Sequence, residues 1–181
     1  MNAIGFVELN SIAKGIEVTD FALKASDIEI VSSFAGCPGK YYFMFCGNTS
    51  AVDAALKVCT ERGSSSIVDS IFISNVHPDV ISAISKTTSI PTKGSLGILE
   101  FFSVTAAIYA ADAAVKAADV YLIEIRTGIG IGGKSFVILT GDVAAVESAV
   151  EVASQSEHVQ GVIVDTAVIA NPAPELFESI C

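Results

Sequence analysis

The sequence is poor in cations and lacks a long apolar run. Its 181 residues include 10 Lys and Arg against 20 Asp and Glu, a formal net charge of −10, and the cations are scattered. Such a surface repels a phosphate backbone, so we expect no nucleic-acid partner. Asp53 and Asp112 interrupt the longest uncharged stretches before they reach the roughly 18 apolar residues of a membrane span. With no basic segment ahead of an apolar core, we expect no signal peptide, no membrane partner and an intracellular protein.

Paired metal-ligand or disulfide patterns are also missing. The four cysteines are Cys37, Cys46, Cys59 and Cys181, and none forms a C-x-x-C pair or stands in a histidine cluster. The sequence therefore predicts neither a zinc site nor a disulfide framework within one chain. Cys46 ends an apolar strand and Cys59 lies on an apolar helix face, so we expect both to be small core residues. Cys181 is terminal and carries no prediction.

Apolar residues, by contrast, are abundant. They make up 51% of the chain and charged residues only 17%. A chain of this size and composition has more than enough apolar surface for a core. It cannot hide all of that surface within itself, so we expect some of it to be buried between subunits.

The chain is an internal repeat. Ala3–Glu8 matches Ser95–Glu100 at an offset of 92, and Gly39-Lys40 matches Gly133-Lys134 at an offset of 94. The second glycine loop is therefore two residues longer. At an offset of 96 the matching pairs are Val68-Asp69 with Val164-Asp165, Asn75 with Asn171, and Pro78 with Pro174. The repeat predicts two homologous domains, residues 1–90 and 91–181, joined by the linker Ser89–Gly94.

Each repeat has the pattern β-α-β-β-α-β followed by a short helix. Ser11 is a candidate N-cap of the first helix. An apolar face recurs in the equivalent helices of the two repeats. Its members are Ile12, Ile16 and Leu23 in the first and Val104, Ile108 and Val115 in the second. We predict an α+β fold of the ferredoxin-like kind in each domain, with helices on one face of an antiparallel sheet.

A glycine-rich turn lies between the second and third strands of each repeat. The first reads Gly36-Cys37-Pro38-Gly39-Lys40 and the second Gly128–Lys134, so only the first carries a thiol. The second joins two strands rather than opening a helix, which excludes a dinucleotide fingerprint. Lys40 and Lys134 recur in both turns and are therefore expected to serve the shared fold or assembly. From the residues alone, Cys37 is an ordinary loop thiol.

Several segments resemble bacterial microcompartment shell domains. They are the Ile-Gly-Phe-Val-Glu opening, Ala114–Val120, the Gly-Gly-Lys turn and the helix start Gly141–Val146. The likeness covers nearly the whole chain, twice. It implies a structural, non-catalytic protein in the shell of a cytoplasmic microcompartment. Tandem proteins of this family form trimers with six domains around a ring, so a homotrimer that contacts other shell proteins is implied.

The resemblance also assigns roles to residues. In that family the loop between the second and third strands lines a central pore. The corresponding residues here are Gly36, Cys37, Pro38, Gly39, Gly128, Ile129, Gly130, Ile131 and Gly132. Lys24, Lys116, Asn75 and Asn171 correspond to assembly-edge positions. The family often has an arginine where Asn75 and Asn171 stand, and this departure concerns the details of tiling rather than the fold.

Three motifs are similar to those of the iron–sulfur tandem shell proteins within this family. They are Cys37–Lys40, Gly130–Lys134 and Asn75–Pro78. The resemblance implies that Cys37 is a cluster ligand. Four thiolates usually hold such a cluster, and three copies of Cys37 on a three-fold axis supply three of them. We therefore expect one [4Fe–4S] cluster per trimer, which relays electrons across the shell to or from a lumenal or cytosolic redox protein.

Two alternatives remain open. The first is a plain shell tile whose central pore passes metabolites and is lined by free Cys37 thiols. The second, from a different class, is a soluble redox carrier. A carrier would not assemble with other shell proteins, and each chain lacks the second and third ligands that an independent cluster needs.

Overall fold

The computed structural model describes residues 3–90 and 94–180. The chain forms two compact units. Unit 1 contains the residues up to Val76 together with Ile129–Gly132, and unit 2 contains His77–Gly128 and the residues from Gly133 onward. Residues 91–93 of the predicted linker lie outside the described residues. The predicted domain boundary after residue 90 stays a prediction.

Unit 1 is a four-stranded antiparallel sheet with two long helices. The strand order is β2-β3-β1-β4. The elements are β1 (Ala3–Leu9), α1 (Ile12–Ala25), β2 (Ile28–Gly36), β3 (Lys40–Gly47), α2 (Thr49–Gly63) and β4 (Ile67–Ser74). The order and the β-α-β-β-α-β succession are those of a ferredoxin-like domain, as predicted.

Unit 2 repeats this arrangement, with strand order β6-β7-β5-β8. Its elements are α3 (Pro78–Ile84), β5 (Ser95–Phe101), α4 (Val104–Ala117), β6 (Val120–Thr127), β7 (Ser135–Gly141), α5 (Val143–Gln155), β8 (Ile163–Ile169) and α6 (Pro174–Ile180). The predicted tandem α+β fold is therefore confirmed. The short helix α3, which follows β4 in the chain, belongs to unit 2.

The helix starts use the capping residues expected from the sequence. The Ser11 hydroxyl accepts a hydrogen bond from the Lys14 N–H at 3.3 Å, and Ser103 caps α4 through the Ala106 N–H in the same way. Each cap satisfies one of the free amides of the first helical turn. Pro78 is the first residue of α3, where a missing N–H costs nothing.

The core of unit 1 lies between the sheet and the helices α1 and α2. Its members are Ala3, Val7, Leu9, Val18, Ala22, Ile28, Tyr41, Phe43, Phe45, Val52, Ala55 and Cys59. The apolar face of α1 identified in the sequence is not the face buried here. Gly15, Val18, Thr19 and Ala22 face the core, whereas Ile12, Ile16 and Leu23 remain 40%, 57% and 38% exposed.

The C-terminal helix α6 packs on the other face of its sheet. A Cβ at Gly97 would meet Val146 and Val150 of α5, so Gly97 faces the long helices. Neighbouring side chains of a strand point to opposite faces, so Leu96 points away from them. Phe177 of α6 packs in a cluster with Leu96. The prediction of helices on one face therefore holds for the long helices and not for α6.

Candidate functional site

Cys37 lies at the tip of the hairpin formed by β2 and β3. Gly36 and Lys40 form the last pair of the ladder. The Gly39 N–H donates to the Gly36 carbonyl oxygen at 2.8 Å, and Gly39 has φ +96°, a conformation that favours glycine. The Cys37–Pro38 peptide bond is cis. The turn leaves Cys37 half-buried, and Pro38 and Gly39 are exposed to solvent.

Tyr42 lies directly beneath this turn. Its side chain is fully buried, and its ring packs against Phe6 and Phe34 at centroid distances of 6.0 and 5.2 Å. Its hydroxyl donates to the Cys37 carbonyl oxygen at 3.1 Å. Burial, followed by electrostatic interactions with Glu8 and Cys37, raises the pKa of Tyr42 to about 12. The hydroxyl therefore keeps its proton at neutral pH and can act as a donor.

Gly36 is required by this packing. A Cβ built on Gly36 would lie 2.5 Å from the Cε2 atom of Tyr42, which is closer than non-bonded carbon atoms approach one another. We therefore expect Gly36→Ala to lower the free energy of unfolding by about 1–3 kcal/mol, since overpacking displaces a buried ring. Guanidinium unfolding followed by circular dichroism measures the change. In a Tyr42→Ala background the same substitution should cost much less. An equal cost in both backgrounds would show that the ring is not the cause.

Lysines anchor the base of the turn in each unit. Lys40 forms an ion pair with Glu8, which is 1% exposed on β1. In unit 2, Lys134 and Glu100 form the equivalent ion pair at 3.0 Å. Both lysines therefore connect the start of the third strand, which begins at Lys40 in unit 1 and directly after Lys134 in unit 2, to the first strand of the same unit. This agrees with the expectation that they serve the shared fold.

The glycine-rich turn of the second repeat has a different construction. Gly128, Gly130, Gly132 and Gly133 all have positive φ, between 66° and 81°. Ile129 is 53% exposed, and Ile131 is half-buried. The turn contains no side chain that binds a metal. The role of these residues in lining a pore stays a prediction.

The predicted assembly-edge lysines differ in their surroundings. Lys24 and Asp20 form an exposed ion pair at 2.6 Å. Lys116 pairs at 2.5 Å with Asp112, which is 6% exposed. The second carboxylate oxygen of Asp112 accepts a hydrogen bond from the His77 N–H at 2.8 Å, next to the start of α3. Lys116 therefore has a defined structural partner within unit 2, whereas Lys24 lies on the surface.

The two predicted assembly-edge asparagines both follow the last strand of a repeat. Asn75 and Asn171 are exposed, and Asn75 has φ +55°, a conformation that asparagine tolerates better than most residues. Their contact with neighbouring shell proteins stays a prediction.

The remaining described cysteines are core residues, as expected. Cys46 is 2% exposed and Cys59 is fully buried. Burial raises the pKa of the Cys59 thiol to about 12, and burial followed by the Glu29 carboxylate raises the pKa of Cys46. Both thiols therefore stay protonated at neutral pH and are poor metal ligands. The half-buried Cys37 is the accessible thiol among the described cysteines.

The described part of a single copy brings few metal-binding side chains together. Within residues 3–90 and 94–180, no group of three or more His, Cys, Asp or Glu side chains could hold a metal ion. Cys37 fits an iron–sulfur cluster in its chemistry, because thiolate is the usual ligand. One chain supplies too few accessible thiolates for a cluster, so the number of ligands fits only when the Cys37 turns of several copies meet.

Tyr42 was not identified from the sequence. The available signal was a difference between the repeats. At the offset of 94 that aligns Lys40 with Lys134, Tyr42 aligns with Phe136. The phenolic hydroxyl therefore occurs only in the unit that carries the loop thiol.

Comparisons with known proteins now identify the family. The BMC domain matches residues 3–76 and again residues 95–172. The chain belongs to the bacterial microcompartment (BMC) domain family. It is 40% identical over 178 residues to the bacterial microcompartment shell protein PduT of Citrobacter freundii, covering 98% of this chain and 97% of PduT.

Solved structures of microcompartment proteins agree with this result. A microcompartment protein from Desulfitobacterium hafniense has a TM-score of 0.91 and 44% identity, with 98% of this chain and 99% of that chain covered. The fused permuted hexameric shell protein MSM0275 of the RMM microcompartment has a TM-score of 0.63 and 26% identity, with 84% and 79% covered.

The comparisons show a structural protein of a bacterial microcompartment shell in the cytoplasm, of the PduT type, and not an enzyme. This agrees with the family identified from the sequence. No helix among the described residues is both long and apolar enough to cross a membrane.

Proposed function

We propose that this BMC-domain protein is a homotrimeric shell tile in which three Cys37 thiolates hold one [4Fe–4S] cluster on the three-fold axis. The observation that carries the proposal is the position of Cys37. It is an accessible thiol at a hairpin tip between two glycines, while Cys46 and Cys59 are buried in the core. Small neighbours let the backbones of several copies approach one another closely.

The chemistry of the centre follows from the number of ligands. Three copies supply three thiolates, each of which must lose its proton to bind iron. The fourth iron is then left for water or a partner. A bound cluster would carry one electron at a time. Its location in a pore would block metabolites and suit electron transfer between the two sides of the shell. A redox protein of the lumen or the cytosol is the partner that such a relay needs.

The homotrimer is supported by unequal burial of equivalent surfaces. Ile12 and Ile16 on α1 are 40% and 57% exposed, whereas their equivalents on α4, Val104 and Ile108, are fully buried. The sheet shows the reverse pattern, because Phe6 of unit 1 is buried and its equivalent Ile98 of unit 2 is half-buried. Each copy therefore leaves one apolar helix face uncovered and one apolar sheet face, on which α6 packs, only partly covered.

These two faces suit a head-to-tail contact between copies. In such a contact the apolar face of α1 in one copy (Ile12 and Ile16, here the α1 face) covers the sheet face of unit 2 that contains Ile98 (the outer sheet face) in the next copy. A head-to-tail interface generates a closed ring when its rotation closes. Three copies give six BMC domains, which is the number of units in a hexameric ring. The similar shell protein MSM0275 is described as hexameric.

Polar groups on the equivalent helices α4 and α1 also support this head-to-tail contact. Asp112 in unit 2 accepts a hydrogen bond from the His77 N–H, which precedes α3. The equivalents by repeat are Asp20, 57% exposed, and Ala173, which precedes α6. In the proposed trimer, Asp20 of one copy accepts a hydrogen bond from the Ala173 N–H of the next copy.

Electron transfer across an assembled shell tests the function directly. Shells are assembled from other shell proteins with either the wild-type tile or the Cys37→Ala tile, and a cytochrome c is enclosed. Reduced ferredoxin, a protein donor too large for shell pores, is added outside. We expect the enclosed haem to be reduced in wild-type shells and its reduction to fall to background with Cys37→Ala. Equal rates would reject electron relay. Failure of the wild-type protein to enter shells would favour a free carrier.

A further inference from the structure

The residues beneath the two hairpin turns differ at one pair of equivalent positions, where Tyr42 is buried and Phe136 is half-buried. Tyr42 pairs with Glu8 across the ladder between β1 and β3, and Phe136 pairs with Glu100 across the ladder between β5 and β7. The ring therefore occupies the same register in both units. A phenyl ring is sufficient for the fold at this position, as Phe136 shows. The hydroxyl of Tyr42 needs a separate explanation.

That hydroxyl contacts the residue that bears the thiol. It donates to the Cys37 carbonyl oxygen at 3.1 Å, and the edge of its ring lies against Gly36. The Tyr42 side chain is 0% exposed and held by Phe6 and Phe34, so the donor has a fixed position. A fixed donor restrains the peptide plane that follows the Cα atom of Cys37. It therefore restrains the direction in which the thiol leaves the turn.

We propose that Tyr42 is a positioning residue for the Cys37 turn, and that its hydroxyl holds the turn in the conformation in which three copies bind one cluster. This inference rests on the proposed function. Three thiolates must meet one rigid group at the same time, so a small spread in each turn weakens all three bonds together. Preorganised ligands lose less entropy on binding.

The experiment compares two single-hydroxyl deletions on the same strand. Tyr42→Phe removes the contact with Cys37 and installs the side chain that unit 2 already carries. Tyr41→Phe is the matched control, because the Tyr41 hydroxyl contacts Ser33 and not the turn. Both proteins are reconstituted anaerobically with iron and sulfide. The visible absorbance of the cluster is then followed after addition of an iron chelator.

We expect Tyr42→Phe to lose its cluster about five times faster than wild type, the factor that corresponds to one typical hydrogen bond. Its EPR signal after reduction should be broader, because the turns sample more conformations. Tyr41→Phe should match wild type in both. Equal cluster lifetimes and equal EPR line shapes in Tyr42→Phe and wild type would overturn the proposal.

A second readout does not depend on the cluster. In metal-free protein the rate at which Cys37 reacts with a thiol reagent reports how well its turn is held, and Cys37→Ala gives the background from other thiols. We expect a faster rate in Tyr42→Phe than in Tyr41→Phe, and equal rates would show that the hydroxyl does not hold the turn. Absence of iron from wild type would instead overturn the proposed cluster and the role of Tyr42 towards it, while the thiol rates still decide whether Tyr42 orders the turn.

Discussion

Replacing Ile16 by aspartate is expected to give a folded monomer. Ile16 is 57% exposed in the single chain, so a carboxylate at this position remains hydrated and leaves the free energy of unfolding nearly unchanged. In the proposed trimer the same side chain packs against the outer sheet face of the next copy. Burying an unpaired carboxylate there costs about 4 kcal/mol, which weakens association roughly a thousand-fold. Light scattering coupled to gel filtration measures the mass.

Two control variants make this result specific. Val152→Asp changes another aliphatic residue, 44% exposed on α5 and outside the α1 face, and should leave the trimer intact. Ile108→Asp changes the fully buried equivalent of Ile16 in unit 2 and should prevent folding rather than assembly. A trimeric Ile16→Asp protein would show that the α1 face is not the contact between copies.

Replacing Cys37 by alanine is expected to abolish iron binding. The substitution removes all three protein ligands of the proposed cluster at once, because each copy contributes the same residue. The trimer should survive, since Cys37 is half-buried in a turn and lies outside the α1 face. Iron and acid-labile sulfide analysis with EPR after dithionite reduction checks the first expectation. Gel filtration checks the second.

The other described cysteines provide matched controls. Cys46→Ala and Cys59→Ala delete the same atom from buried positions of unit 1 and should lower stability while they retain iron, because both thiols are buried. Loss of iron in Cys59→Ala with an intact trimer would contradict the assignment of Cys37 as the ligand. Retention of iron in Cys37→Ala would contradict it more directly.

The fold could be predicted because its signals are local and occur twice. The capping hydroxyl of Ser11 and the Pro78 start of α3 lie next to the elements that they define. The match between the Ala3–Glu8 and Ser95–Glu100 strands gave the repeat. Patterns of this kind depend on residues close in sequence, and a second copy confirms each of them.

The surroundings of the candidate site could be predicted less well from the sequence. The exposed state of Ile16 could not be read from helical periodicity, which identifies an apolar face and not what covers it. The hydrogen bond from Tyr42 to Cys37 depends on the close packing of its ring at Gly36. The contact between Asp112 and the His77 N–H joins residues 35 positions apart. Such contacts arise from tertiary packing, for which the sequence has no fixed spacing.

The stoichiometry of iron in the wild-type protein tests the central claim most directly. The protein is purified and reconstituted without oxygen, and iron, acid-labile sulfide and molar mass are measured on the same sample. One cluster shared by three copies of Cys37 predicts about four irons and four sulfides per three chains, with an EPR signal after reduction. About four irons in every chain would contradict sharing on an axis. Trimers that bind no iron would contradict the cluster itself and leave a shell tile with a ring of free thiols.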